Sequence, residues 1–173
     1  LKKLYLNYLA FKLRTFENKT FGSVDGIACI SDIDTSYIKA TRIKTPVKTI
    51  PFGIHIPKNI SFSKQSHALT LFYIGSMDWV PNMEGIKWFL DLCMPLVSEN
   101  FPEIKVFLAG RNMPSWVDNY NYRNLENIGE VEDATEFINN HDIMFVPLFS
   151  GSGVRIKIIE GMSLGKVIIS TSI

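Results

Sequence analysis

The chain has 173 residues, 46% of them hydrophobic, and a formal net charge of +1. That size supports one compact core with a fragment of a second domain. The near-neutral balance implies no broad basic surface and argues against nucleic acid as a partner, and no apolar run approaches the ~20 residues that a membrane-spanning helix needs.

The opening stretch LKKLYLNYLAFKLRTFENK is amphipathic rather than continuously apolar, so it does not read as a secretory signal. Leu4, Leu9, Phe11, Leu13 and Phe16 recur at roughly helical spacing and predict a helix over 3–20. DGIACIS (25–31) predicts a buried strand, SDIDTSYIKAT a helix with capping residues at its start, and VKTIPF (47–52) a second strand stopped by Pro51 and Gly53. Residues 54–68 are polar and aperiodic and predict a linker between a first unit, 1–53, and a second, 69–173.

A regular rhythm comes next. LTLFYIG (69–75) predicts a strand, and residues 82–100 a helix with Ile86, Phe89, Leu90, Cys93, Leu96 and Val97 on one face. IKVFLAG (104–110) predicts a strand, 114–121 a helix, LENIG (125–129) a strand and DATEFINN a helix capped by Asp133. IMFVPLF (143–149) predicts a strand, VRIKIIEGMSLG (154–165) a helix closed by Gly165, and KVIIST (166–171) a last strand. Strands alternating with helices predict an α/β fold, a Rossmann-like parallel sheet of five strands flanked by helices and apolar on both strand faces, beside a remnant of a second α/β domain. Three strands end at glycines, Gly75, Gly110 and Gly129, and in such sheets ligands bind beyond the carboxyl ends. The abrupt start and the stop after a strand lead to the expectation of an excised piece of a larger protein, with the first unit seeking a partner for its apolar faces.

Several motifs are weighed and set aside. Cys29 and Cys93 sit among apolar neighbours and read as buried free thiols in a reducing compartment. His55, His67 and His141 are scattered, and no cysteine–histidine cluster has metal spacing. Asp32 and Asp34 have the D-x-D spacing of some metal-dependent sugar transferases, but acidic groups equally suit the first turn of a helix. No G-x-G-x-x-G follows the 69–75 strand, no Walker loop is present, and Ser152 lacks the spacing of a nucleophile elbow.

Two loops carry more. In GSMDWVPNMEG (75–85), Pro81 and Asn82 mark a helix start, and the turn after Gly75 and Ser76 suits a phosphate on backbone amides, with Trp79 either packing or touching the ligand. In GSGVRIKIIEG (151–161), Gly151, Ser152, Gly153 and Val154 let a ligand approach the backbone, and Arg155 and Lys157 place full positive charges where a helix dipole disfavours them unless an anion sits between. Glu160 lies one turn on. The sequence leaves open whether this is a diphosphate cradle with a carboxylate for a hydroxyl, or a surface helix with a Glu–Lys pair.

FYIGSMDWVPNMEGIKWF, VFLAGRNMP, NIGEVED and HDIMFVPLFSGSGVRIKIIEGMSLGKVIIST, taken in order, resemble the donor-binding domain of family-four glycosyltransferases with the GT-B fold. DGIACISDID…VKTIPFGIHI resembles the end of their amino-terminal domain. The resemblance implies a retaining enzyme that transfers a sugar from a nucleotide-diphosphate donor of UDP or GDP type to a sugar or lipid-linked acceptor, without metal or other cofactor. The setting it implies is surface-polysaccharide synthesis in a bacterial cytoplasm, with peripheral association at the inner membrane face as a further expectation.

The family's Glu-x7-Glu pattern falls on Ser152 and Glu160: Glu160 would bind the ribose, and Ser152 replaces the glutamate that touches the donor sugar. The family's phosphate-binding Arg and Lys fall on Ser76 and near Asn82 and Glu84, so Arg155 and Lys157 supply the charge, as in the subgroup with a GSGVR-x-K signature. The base would lie near Gly129, Glu130 and Val131, with Gly110 and Arg111 at the cleft edge. The rival readings are a non-catalytic nucleotide-binding or interaction domain of the same fold, sustained by the departures at Ser152, Ser76 and Asn82, and, more distantly, a nucleotide-sugar epimerase. The 173-residue chain alone is expected to be inactive in transfer, since catalysis needs both walls of a cleft.

Overall fold

The computed structural model describes residues 2–54, 68–151 and 153–172, so Ser152, His55 and His67 and nearly all of the expected linker lie outside the described residues. The chain divides into two compact units, Leu1–Gly53 and Ile54–Ile173.

In the first unit, helix α1 (Lys2–Phe21) precedes strand β1 (Ile27–Cys29), helix α2 (Asp32–Ala40) and strand β2 (Val47–Thr49), and β1 and β2 pair in parallel. Ser31 caps α2 by accepting from the Asp34 amide, its hydroxyl donates to Asp34 Oδ2 at 2.6 Å, and Thr49 donates to Asp32 Oδ1 at 2.6 Å. Both aspartates of the D-x-D are thus engaged in local hydrogen bonds. Helix α1 forms where the spacing predicts it, but it buries no residue, and Leu4, Leu9, Phe11, Leu13 and Phe16 are all exposed. Its large apolar residues point around much of the helix rather than along one stripe, so no single face can be buried against β1 and β2.

In the second unit, strands β3 (Thr70–Ile74), β4 (Lys105–Ala109), β5 (Leu125–Gly129), β6 (Ile143–Val146) and β7 (Val167–Ser170) form one sheet in the order β5-β4-β3-β6-β7. Every pairing is parallel. The chain winds outward one way from β3 and the other way from β6, which puts the topological switch point between those two strands. Phe72, Tyr73, Val106, Leu108, Met144 and Val146 are fully buried, each contributing roughly 1.5–3 kcal/mol by burial. The expectation of two buried faces holds for β3, β4 and β6 but not for the edges: β5 is largely exposed, and so are Val167 and Ile169 of β7. An edge strand has a neighbour on one side only, and less of the helical layer covers it.

The expected helix 82–100 is three segments: α3 (Val80–Trp88), a π-turn over Phe89–Cys93, and α4 (Met94–Asn100). Pro95 has no N–H to donate and its ring would crowd the carbonyl four residues back. The chain opens to a wider turn, in which the Met94 amide donates to the Phe89 carbonyl. The inserted residue rotates α4 relative to α3, so Met94 is fully buried while Leu96 is exposed and Cys93 only half-buried, in place of the uninterrupted face that the periodicity predicts. Cys29 is buried, and both thiols are free. The expected helix 114–121 is a short 3-10 turn, Ser115–Asn119, and α5 (Ala134–Asn139) is capped by Asp133. Helix α6 spans Ile156–Ser163, shorter than 154–165, so Arg155 is its N-cap and not part of its first turn.

Candidate functional site

The carboxyl ends of β3, β4 and β5 converge on glycines. The Gly75 amide donates to the Ala109 carbonyl at 3.1 Å, and the Gly110 amide to the Gly129 carbonyl at 2.7 Å. Gly110 has φ +150°, and a Cβ there would lie 1.8 Å from the Gly75 carbonyl oxygen. Only glycine allows the two strand ends to approach this closely. Beside them is a cleft of about 240 Å³ lined by Gly75, Ser76, Gly110, Arg111, Glu130 and Val131, together with Ile74 and Ala134. Six residues singled out in three separate sequence segments therefore meet in one concavity.

The second cluster surrounds the start of α6. Gly85 lets α3 pass close to the end of β6, since a Cβ there would lie 1.6 Å from the Pro147 carbonyl oxygen. The next residue, Leu148, is buried and receives Thr171 from the end of β7: its amide donates to Thr171 Oγ1 at 2.9 Å, and its carbonyl accepts the Thr171 hydroxyl. The glycine loop thus grows from an anchored base. Gly151 and Gly153 both have positive φ, +106° and +87°. Arg155 folds back, Nη2 donating to the Gly151 carbonyl at 2.9 Å, with its guanidinium carbon 5.9 Å from the centre of the Trp79 ring. Trp79 is thereby in contact with the charged loop as well as at the head of α3.

Lys157 takes another course. Its ammonium passes beneath the turn after β3, 3.1 Å from Asn82 Oδ1 and 3.3 Å from the Tyr73 hydroxyl, and 4.8 Å from the Tyr73 ring centre. A Cβ on Gly75 would lie 2.7 Å from this nitrogen, so the glycine keeps open the space that the ammonium enters. Burial, and secondarily the Arg155 charge, lower the Lys157 pKa from 10.5 to about 8. Burial also raises the Tyr73 phenol above its ordinary range, so this partner stays neutral. Among the described residues no carboxylate pairs with Lys157. A cation so placed lacks a counter-charge in a partly dry site, an arrangement that costs free energy until an anion arrives.

Glu160 lies on the exposed side of α6, and its carboxylate makes no hydrogen bond or ion pair among the described residues. The Glu–Lys surface pair of the plainer reading does not form, because the lysine turns inward. Val154 is half-buried ahead of the N-cap. The cleft at Gly75 and the loop at Gly151 are linked through Lys157, which belongs to α6 and reaches Gly75.

Three contributors have roles here that the sequence does not assign them, Asn82 standing there only as a helix start and a departure from the family's phosphate-binding pattern. Asn82 is buried and bridges the two clusters, its Nδ2 donating to the Ser76 carbonyl at 2.7 Å. Asp78 accepts from Ser76 Oγ at 3.0 Å and from Asn112 Nδ2 at 2.8 and 2.9 Å, and the Met77 amide donates to the Arg111 carbonyl at 3.0 Å. These bonds fasten the turn after β3 to the turn after β4, where Asn112 holds φ +55°. The third is Thr171. Asn82 alone carried a signal, as a polar residue at an otherwise buried position of a helix start; the others depend on contacts between segments remote in sequence. His141 is structural: its ring is held between Phe107 and Phe137 at 4.5 and 4.3 Å, at the opposite end of the sheet.

Comparisons with known proteins agree with this fold. A sequence model of the family described as "Glycosyl transferases group 1" matches residues 68–173. An "Uncharacterized 44.6 kDa protein in cps region" of Klebsiella pneumoniae is 26% identical over 191 aligned residues, covering 99% of this chain and 45% of that protein. The chain therefore spans a little under half the length of this curated relative. Among solved structures, TarM, a Staphylococcus aureus protein, superposes with a TM-score of 0.71 at 14% identity, over 92% of this chain and 32% of that one. HepE of Anabaena, solved with UDP bound, superposes with a TM-score of 0.58 at 13% identity, over 85% of this chain and 44% of that one. At these identities the structures share the fold.

Proposed function

The chain belongs to the group 1 glycosyl transferases, the family-four type with the GT-B fold, and on that premise we propose that it is the donor-binding part of an enzyme that transfers a sugar, with retention, from a nucleotide diphosphate to a sugar or lipid-linked acceptor. The proposed setting is surface-polysaccharide synthesis at the inner face of a bacterial membrane, a reading supported by the relative from a cps region. The observation that carries the proposal is Lys157: a partly buried ammonium whose partners among the described residues are neutral, directed at the glycine turn at the carboxyl end of β3.

In this reading the diphosphate lies between the turn at Gly75–Ser76 and the loop at Gly151–Arg155. Lys157 acts as a point charge, Arg155 swings from the Gly151 carbonyl to grip two oxygens, and the first amides of α6 face the anion. These donors are set before the reaction and meet the negative charge that grows on the departing diphosphate. Glu160, its carboxylate unengaged among the described residues, accepts from the ribose hydroxyls. The cleft at Arg111, Glu130 and Val131 takes the base, of UDP or GDP. The first unit forms part of the acceptor side, and its exposed α1 is a surface for self-association.

The test is calorimetric titration of the chain with UDP, GDP, uridine and guanosine. Binding of one diphosphate well above its nucleoside is expected, with the difference abolished by Arg155→Ala/Lys157→Ala. Equal binding of nucleotide and nucleoside, or none by either diphosphate, overturns the reading. The chain alone is expected to show no sugar transfer.

A further inference from the structure

Lys157 has four rotatable side-chain bonds, yet it does not reach into solvent from the surface helix that carries it. Two neutral groups hold it inward. One is Tyr73, through its hydroxyl and ring face. The other is Asn82, only 4% exposed, in the first turn of α3. The amide orientation of Asn82 follows from its partners. A lysine ammonium only donates and a backbone carbonyl only accepts, so Oδ1 faces Lys157 at 3.1 Å and Nδ2 faces the Ser76 carbonyl at 2.7 Å. Neither aspartate nor leucine can make both bonds, and serine is too short to span them. An ammonium has three donors, and two are used here, which leaves one for the turn at Gly75 and Ser76.

We propose that Asn82 is a positioning residue for the anion site: it holds the Lys157 ammonium against the Gly75–Ser76 turn and couples the shape of that turn to the presence of the cation. The proposal rests on the reading of the site as a diphosphate seat, and deepens it by naming what aims the charge. Restricting a long side chain before the ligand arrives removes an ordering cost that binding would otherwise meet. Among the described residues the charged and titratable groups around Lys157 are few. Tyr73 on β3 remains protonated, Arg155 at the start of α6 is itself a cation, and Asp78 in the adjoining turn is engaged by Asn112 and Ser76. None supplies the counter-charge that would fix the lysine in Asn82's absence.

The experiment is a double-mutant cycle between Asn82→Ala and Lys157→Met, read by nucleotide-diphosphate titration with UDP and GDP, with the melting temperature of each variant as the folding control. In the parent background Asn82→Ala should weaken binding roughly tenfold. In the Lys157→Met background the same change should cost nothing further. Equal losses in both backgrounds would make Asn82 a structural residue and overturn the proposal. A second readout needs no nucleotide. Side-chain NMR titration of Lys157 in the ligand-free protein should move from near 8 toward the ordinary lysine value when Asn82→Ala releases the amine to water. An unmoved titration also overturns the proposal. Failure of the parent chain to bind either diphosphate would sink the functional reading, and the NMR arm would still decide on Asn82. Should Asn82→Ala not fold, Asn82→Asp keeps the side-chain volume. It should raise the Lys157 titration through the new carboxylate while weakening diphosphate binding.

Discussion

The two ends of the five-stranded sheet both hold a partly buried lysine, and they treat it differently. At the amino end, Lys166 donates to the carbonyls of Asn139 and His141 at 3.0 and 2.7 Å; burial lowers its pKa, and the nearby Asp142 carboxylate acts in the opposite direction. Asp142 accepts from the amide and the hydroxyl of Thr70 at 2.9 and 2.8 Å, and so joins the start of β6 to the start of β3. At the carboxyl end, Lys157 has a phenol and an amide for partners, no carboxylate among the described residues, and the glycine turn at the end of β3 beside it. The first lysine closes a network, and the second leaves one open. A partly buried cation whose polar surroundings are complete is part of the scaffold; one whose surroundings lack a negative charge is a candidate place for a ligand.

The largest expected effect tests how the open end is built. Gly110→Ala drives a Cβ into the Gly75 carbonyl at 1.8 Å and should destabilise the chain by about 3 kcal/mol or more in chemical denaturation. Gly129→Ala, with φ +73° but open space around it, should cost only about 1 kcal/mol. Comparable losses at the two positions would show that the strand ends are not in tight contact.

Next is Lys157→Met, which should weaken UDP or GDP binding by about 2–3 kcal/mol and leave the empty protein as stable or more so. The folded chain holds the Lys157 proton less tightly than the unfolded one, so burying the charge costs stability below pH 8, and the cost fades between pH 8 and 10.5. The cost is at most about 3 kcal/mol. The stability advantage of Lys157→Met should therefore shrink with rising pH, and parent nucleotide affinity should fall above pH 8. A variant less stable than the parent at pH 7 would place Lys157 with Lys166 as scaffold.

Glu160→Ala should weaken nucleotide binding by about 1.5–2 kcal/mol if the proposed ribose contact is lost, while thermal stability stays within ~0.5 kcal/mol because the carboxylate has no partner among the described residues. Unchanged affinity would remove Glu160 from the site. The smallest effect belongs to the closed end: Thr70→Val should cost about 1 kcal/mol of stability by removing the hydroxyl's bonds to Asp142 while the backbone amide keeps its own, with nucleotide affinity unaltered. An affinity change there would mean that the two ends are not independent.

The second unit's alternation of strands and helices, and with it the parallel sheet and the glycine-ended strands, follows from the sequence alone. Apolar runs and breakers act locally, and a parallel sheet buried on both faces leaves a continuous hydrophobic imprint. The concentration of glycines and cations in 151–157 was equally visible, because a charge at a helix start is anomalous without any knowledge of the fold. Where a local pattern met a non-local constraint, it failed. The 82–100 periodicity carries no mark of the extra residue that Pro95 forces into the π-turn, and the apolar spacing of α1 does not say that nothing in the described unit covers it. The direction of Lys157 could not be read either. Its spacing to Glu160 suggests a pair on the helix surface, yet it turns to Tyr73 and Asn82, 84 and 75 residues away along the chain. Sequence determined which residue types crowd the strand ends; only the packing of β3, α3 and α6 decided which of them meet, because a side chain's partner depends on what the other elements bring within about 3 Å of it.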